Sequence, residues 1–217
     1  MSFSSLRLLM GAVVLAVLAA AAFSGGCDRS PSAPSAPSPL PGLHTMLAEK
    51  VLGSATAPIT MIEYSSLTCS HCADFHALTL PLIKSEYIDT GKVKFVYRDF
   101  PLDNGTALTA SIVARCSGDR FFTVLDLLYQ SQGTWAGSSN PTSALKSVVA
   151  QAGLSSAEVD ACLVSADLRA GILAIKSKGE ADYDITGTPT FFINGQRIDG
   201  AMPYGIFAEI FNTLLGL

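Results

Sequence analysis

Charge is scarce in this chain of 217 residues. Asp, Glu, Lys and Arg make up 15% of it, and the formal net charge is −4. A slightly acidic balance gives no footing for nucleic-acid binding. Long apolar runs are missing too. The extended run from Leu8 to Phe23 counts 16 residues, short of the roughly 20 that a membrane-spanning helix needs. There is one tryptophan, Trp135, and there are three histidines, His44, His71 and His76. The five cysteines are Cys27, Cys69, Cys72, Cys116 and Cys162, and only one Cys-x-x-Cys occurs. A structural zinc site wants four ligands, so the missing second pair argues against zinc. An odd cysteine count in an exported chain leaves one cysteine to be explained.

What is present begins with an export signal. Arg7 supplies a basic start, Leu8 to Phe23 the apolar segment, and Ser24-Gly25-Gly26 the small residues before Cys27. This order resembles a bacterial lipoprotein signal, in which cleavage leaves the cysteine as a lipidated first residue. Ser24 departs from that pattern, which usually has Leu there. Plain cleavage and an uncleaved anchor are the alternatives. On the lipoprotein reading, residues 1–27 end at the lipidation site and four cysteines remain, an even number suited to the oxidising periplasm. Residues 28–42 read as a linker. Within it Ser30 to Pro41 alternates Pro, Ser and Ala, as a disordered or polyproline II spacer does. At about 3.1 Å per residue it would reach roughly 35–40 Å, enough to hold a domain over 43–217 off a membrane surface.

The chain is organised around Cys69-Ser70-His71-Cys72. Ile59 to Tyr64 is β-branched and apolar, the pattern of a buried strand. Ser65 to Thr68 is a polar turn, and Ala73 to Leu78 has helix-forming composition. The two cysteines therefore fall where a strand hands over to a helix. The first turn of a helix carries unpaired N–H groups and about half a positive charge. A thiolate at Cys69 is stabilised there, below the free value of about 8.5. The i, i+3 spacing puts Cys72 within disulfide reach. His71 adds positive charge or a hydrogen bond. Stabilising the thiolate stabilises the reduced form, which makes the disulfide an oxidant. A zinc set of Cys69, Cys72 and His76 and a purely structural bridge are the competing readings. The short span of such a bridge constrains little of the unfolded chain. His76 reads as a partly exposed helix residue, and His44 as lying in a flexible segment without a role.

The rest of the chain reads in order. Leu43 to Leu52 fits a short helix or a strand. The helix after Cys69 should run to about Tyr87, and Val93 to Arg98 alternates as a second strand, closing a right-handed βαβ unit. Helices follow over Ala107 to Cys116, Phe121 to Gln130, Pro141 to Ala152, Ser155 to Val164 and Ala166 to Tyr183. Asn140-Pro141 is a helix start, and Ser155 with Glu158 fits a capping box. Trp135 falls between helices and reads as core filling. Thr190 to Ile193 returns to strand, Asn194-Gly195 is a hairpin turn, Gln196 to Ile198 is the return strand, and Pro203 to Leu215 is a closing helix with Pro203 in its first turn.

This order and these motifs resemble the thioredoxin superfamily, and more closely the DsbA family of periplasmic thiol–disulfide oxidoreductases. Three features carry the resemblance: Cys69 to Cys72 at a strand–helix junction, Gly187-Thr188-Pro189-Thr190-Phe191-Phe192-Ile193-Asn194-Gly195, and the helices between the two halves. It covers about Val51 to the C-terminus. It implies an α/β thioredoxin fold with an inserted helical subdomain at about 104–184. It implies that Pro189 is a cis-proline facing the active disulfide, leaving the Thr188 backbone free to pair with an extended substrate; an ordinary trans-proline opening a strand is the competing reading. It gives Glu63, costly on an apolar strand unless paired or protonated, the role of proton acceptor for Cys72. A solvent-facing Glu63 is the alternative. It implies a structural Cys116–Cys162 disulfide, against two buried free thiols. The best-known members have Val where this chain has Thr188 and Pro where it has Ser70; Thr there is common in isomerase-type relatives.

The expectation is an oxidase for exported proteins that needs no cofactor and no metal. A substrate thiolate attacks an exposed Cys69, Cys72 leaves with help from Glu63, and a DsbB-type membrane partner re-oxidises the pair. The substrates are unfolded or partly folded exported proteins, met in the periplasm, with the enzyme tethered through Cys27. The alternatives are a disulfide isomerase or reductase kept reduced by a membrane donor, and, from another class, a periplasmic metal-binding lipoprotein or metallochaperone.

Overall fold

The computed structural model describes residues 40–217. The expected signal, Cys27 and most of the linker lie outside the described residues. The chain after the linker opens with a short helix, α1 (Leu43–Leu47), and an edge strand, β1 (Lys50–Leu52). The stretch 43–52 is thus helix and strand in succession. His44, expected in a flexible segment, is an exposed residue of α1.

Four more strands complete one sheet: β2 (Ile59–Ser65), β3 (Val93–Asp99), β4 (Thr190–Ile193) and β5 (Gln196–Asp199). Their order is β1-β3-β2-β4-β5. β2 and β3 run parallel, and every other neighbouring pair is antiparallel. β2 is central, with Glu63 opposite Tyr97 on one side and Phe191 on the other. Asn194 and Gly195 both adopt positive φ, 46° and 89°, as a tight two-residue hairpin requires.

The βαβ crossover is helical across 70–88, but not uniformly. Its α-turns, α2 (Ser70–Asp74) and α3 (Leu80–Ile83), alternate with wide π turns at Phe75–Thr79 and Lys84–Ile88. Pro81 has no N–H to give and its ring crowds the carbonyl four residues back. The wide turn before it meets that constraint, with the Leu80 N–H bonding to Phe75 O. Such π turns gather at functional sites.

Between β3 and β4 lie α4 (Thr106–Cys116), α5 (Phe121–Gln130), α6 (Gln132–Ala136), α7 (Pro141–Val149), α8 (Ser156–Leu163) and α9 (Ala166–Tyr183). Ser155 and Glu158 form the reciprocal capping box. Trp135 sits in α6, fully buried, and its Nε1 donates to Leu128 O at 2.7 Å. A disulfide joins Cys116 on α4 to Cys162 on α8, with Cα atoms 6.0 Å apart. Arg115, 1% exposed, donates to Asp99 on β3 at 2.5 Å and to Met46 O and Ala48 O. It therefore ties α4 to the sheet and to the α1–β1 connection.

α10 (Tyr204–Leu215) closes the fold. Pro203 is its N-cap, extended at ψ 150°, and not part of its first turn. Phe207 of α10 packs with Phe75 and Phe191, so the crossover helix and α10 share one face of the sheet. α9 reaches the other face. There a side chain at Gly179 would meet the Tyr64 ring at 2.7 Å, so only glycine allows this approach.

Candidate active site

Strand pairing and helix geometry together build the site. The turn after β2 is tied by Ser66, whose carbonyl accepts from Cys69 N at 3.1 Å and whose hydroxyl accepts from Thr68 N. Cys69 is then the N-cap of α2, with extended backbone, and its carbonyl takes the Ala73 N–H. Expected to be exposed, Cys69 is 8% exposed, and Cys72 is wholly covered. Both are free thiols. The side chain of His71 points to solvent, while its main-chain N–H helps hold the Cys69 sulfur.

Opposite lies the Thr188–Pro189 peptide, which is cis. Cys69 Sγ is 3.3 Å from the Thr188 carbonyl oxygen, which accepts its proton when the sulfur carries one. The Thr188 hydroxyl is buried near the same sulfur, without full hydrogen-bond geometry to any described group.

The two sulfurs are driven apart in acidity. Cys69 is lowered from 9.0 to about 5. The main cause is the Cys72 thiol donating toward it; the Thr188 hydroxyl and the N–H groups of Cys72 and His71 add to this, and burial opposes it. Cys72 is pushed far above the ordinary thiol range, first by burial, then by its bond to Cys69 and the negative charge of Glu63. The Ser65 hydroxyl works the other way. The helix start thus contributes through two N–H groups, but the larger donor is the second thiol, which spacing alone does not reveal.

Beneath Cys72 lies a polar cluster in an otherwise apolar core. Glu63 is wholly buried, not solvent-facing. Its Oε2 lies 2.9 Å from His76 Nε2. His76, expected to be partly exposed, is buried at 7% and stacks on Tyr129 with ring centres 4.2 Å apart. The reason is its place in the π turn facing the sheet, where Glu63 pairs one of the two nitrogens of a ring that would otherwise be costlier to bury. Tyr129 shares a hydrogen bond with Ser65 at 2.8 Å and another with Tyr97 at 3.4 Å. Burial holds both phenols well above their ordinary range, so they stay neutral. From the insert, Gln132 Nε2 donates to Leu67 O and Cys69 O. Sequence reasoning missed Ser65, Tyr97, Tyr129 and Gln132. Only Ser65, a polar residue two beyond Glu63 on the same strand face, left a local signal. Among the described residues, no three His, Cys, Asp or Glu side chains converge as a metal set.

A reactive-type dithiol at a helix start, facing a cis-proline beside the central strand, defines a thioredoxin-type protein. A family model described as thioredoxin matches residues 45–212. The crystal structure of Wolbachia pipientis alpha-DsbA1 superposes with a TM-score of 0.72 at 32% identity, covering 77% of this chain and 91% of that one. The chain belongs to the DsbA family of the thioredoxin superfamily. A Rickettsia typhi protein-disulfide oxidoreductase is 34% identical over 153 residues, 70% of this chain. That match spans 56% of the relative, and a Rickettsia bellii counterpart is matched over 63% of its length, so the chain spans little more than half of these relatives. A Bacillus cereus disulfide bond formation protein D is 28% identical, over 68% of this chain and 70% of its own.

Proposed function

We propose that this chain is a thiol–disulfide oxidoreductase that introduces disulfides into exported proteins. The observation that carries the reading is the placement of the two sulfurs. Cys69 stands at the start of α2, its Sγ 3.3 Å from the Thr188 carbonyl oxygen beside the cis Thr188–Pro189 bond, and Cys72 is wholly covered behind it. That setting lowers the pKa of the first thiol and raises that of the second. A thiolate that is stable when released makes its disulfide easy to give away. A substrate thiolate attacks Cys69 of the oxidised pair, and Cys72 leaves and takes a proton, with Glu63 as the adjacent proton carrier. A second substrate thiol then attacks the mixed disulfide and frees Cys69 as thiolate. The Thr188 main chain, next to the sulfur, offers an edge on which an extended substrate segment pairs. The protein-disulfide oxidoreductase names of the relatives support the same reading.

The compartment in this reading is the periplasm, and the re-oxidant is a membrane disulfide donor of the DsbB type. Tethering through Cys27 belongs to the reading as well. Thr188 favours a second possibility, isomerase or reductase action, because Thr at this place is shared with isomerase-type relatives. The deciding measurement is the equilibrium of the Cys69/Cys72 pair with glutathione, followed by oxidation of a reduced unfolded substrate and refolding of a scrambled one. A strongly oxidising equilibrium with fast substrate oxidation is expected. Refolding of the scrambled substrate far outpacing oxidation would reverse the assignment.

A further inference from the structure

Cys72 is buried, so its proton needs a route. It must be lost when the disulfide closes and regained when it opens. Glu63 sits close enough for its charge to raise the Cys72 thiol, but Glu63 is itself wholly buried. Among the described residues its hydrogen-bonding partner is His76 Nε2, at 2.9 Å, while the other ring nitrogen, Nδ1, is buried at the ring's far side with no partner. The same imidazole lines a cavity of about 370 Å³ with Leu80, Lys84, Phe122, Asp126 and Tyr129. Lys84 and Asp126 are exposed, so the cavity has a wet rim. None of its lining residues belongs to the Thr188–Pro189 segment.

We propose that His76 relays the Cys72 proton, by way of Glu63, between the buried thiol and solvent in this cavity. The protein would thus have a proton exit separate from the face that receives substrate. The inference rests on the reading of Cys69 and Cys72 as a redox pair. On closing from a mixed disulfide, the Cys72 S–H bond breaks and Glu63 takes the proton. The Cys72 sulfur attacks Cys69 Sγ, and the partner's sulfur leaves with the bonding electron pair. Glu63 passes its proton to His76 Nε2, and Nδ1, covered in the resting structure, gives one to cavity water when the lining side chains part. Opening runs the same transfers backwards. A ring with two nitrogens on two sides can accept at one and release at the other. A buried His76 needed only to fill space would not require an imidazole. The titratable groups facing it are Glu63 from β2, Tyr97 from β3, Tyr129 and Asp126 from α5 and Lys84 beyond α3.

The experiment mixes reduced full-length protein with oxidised glutathione across pH 5–9 and traps the mixed disulfide and the closed form by acid quench. His76→Gln keeps an amide donor toward Glu63 but has no nitrogen that takes up and releases a proton, and His76→Ala leaves room for added imidazole. Both are expected to slow closure on the order of 10²-fold, the range of general acid–base assistance. The equilibrium with glutathione should move far less, since a relay speeds both directions alike. Imidazole should restore His76→Ala and leave His76→Gln unchanged. Wild-type closure should be slower in D₂O, a reading that needs no variant. Folded His76→Gln closing at the wild-type rate at every pH, a folded His76→Ala that imidazole does not rescue, or equal wild-type rates in H₂O and D₂O would each overturn the relay. If wild type exchanges with glutathione and these tests fail, only the relay falls. If wild type does not exchange at all, the redox reading falls with it.

Discussion

The side-chain amide of Gln132 donates to the main-chain oxygen of Cys69 at 2.9 Å, and the same nitrogen reaches Leu67 O at 2.8 Å. A residue of the inserted helices therefore holds the loop that carries the reactive-type sulfur. Each such bond contributes about 1 kcal/mol net, and a carbonyl left without a donor costs more when it is covered. Gln132→Ala should lower stability in urea by about 1–2 kcal/mol and speed amide exchange over Cys69 to Ala73. Unchanged exchange there would show that the turn holds itself.

The acidity of Cys69 makes the reduced protein's stability depend on pH with a definite sign. Between about 5, the folded value, and 9.0, the ordinary one, the unfolded state binds more protons at Cys69. Stability of the reduced form therefore rises with pH across that window and is lost as pH falls through 5. Above 9 the slope reverses, because folded Cys72 keeps a proton that the unfolded chain gives up. At pH 7 the Cys69 contribution is at most about 2–3 kcal/mol, and solvent screening lowers it. The oxidised form has no such dependence. Thiolate absorbance should titrate near pH 5, and Thr188→Val, which removes a hydroxyl donor, should move the midpoint upward. A midpoint near 9 in wild type would contradict the assignment.

The Cys116–Cys162 bridge closes a span of 46 residues within the insert. Loop-closure entropy makes that worth up to about 4 kcal/mol. A Cys116→Ala/Cys162→Ala double variant should lose stability of this order in denaturant. Under native conditions its Cys69/Cys72 exchange with glutathione should remain close to wild type. Loss of exchange without loss of stability would mean that the second bridge takes part in the chemistry.

Arg115 and Asp99 form a buried ion pair, at 1% and 0% side-chain exposure. Removing one partner leaves a buried charge alone, at a cost of about 3–5 kcal/mol. Arg115→Met should show that loss in urea unfolding. Arg115→Met/Asp99→Asn should recover much of it, since the orphaned charge is then gone. A double variant no better than the single would place the contribution in the bonds from Arg115 to Met46 O and Ala48 O instead.

Much of this architecture is legible in local patterns. The alternation of Val93 to Arg98, the Asn194-Gly195 turn and the Ser155/Glu158 capping box each depend on residues a few positions apart. So does the placement of Cys69 at a helix start, because one apolar strand and one polar turn precede it. His76 was misread for the opposite reason. Four residues past Cys72, it has no local mark of burial. Its surroundings come from β2, from α5 and from a widened helical turn, none of which its own neighbours in sequence announce. Gln132, Tyr129 and Arg115 escaped notice in the same way, each being partnered by a residue at least 16 positions away.

The order of residues alone determined that a strand would deliver two cysteines to a helix N-terminus, and that a proline segment and a hairpin would follow a block of helices. Those outcomes depend on short-range sterics and hydrogen bonding, which neighbouring residues settle among themselves. Which groups surround the sulfurs was decided only when the sheet paired β2 between β3 and β4 and the insert laid α5 and α6 against it. Acidity and proton access are properties of that enclosure, because burial and fixed donors act through space and take no account of distance along the chain.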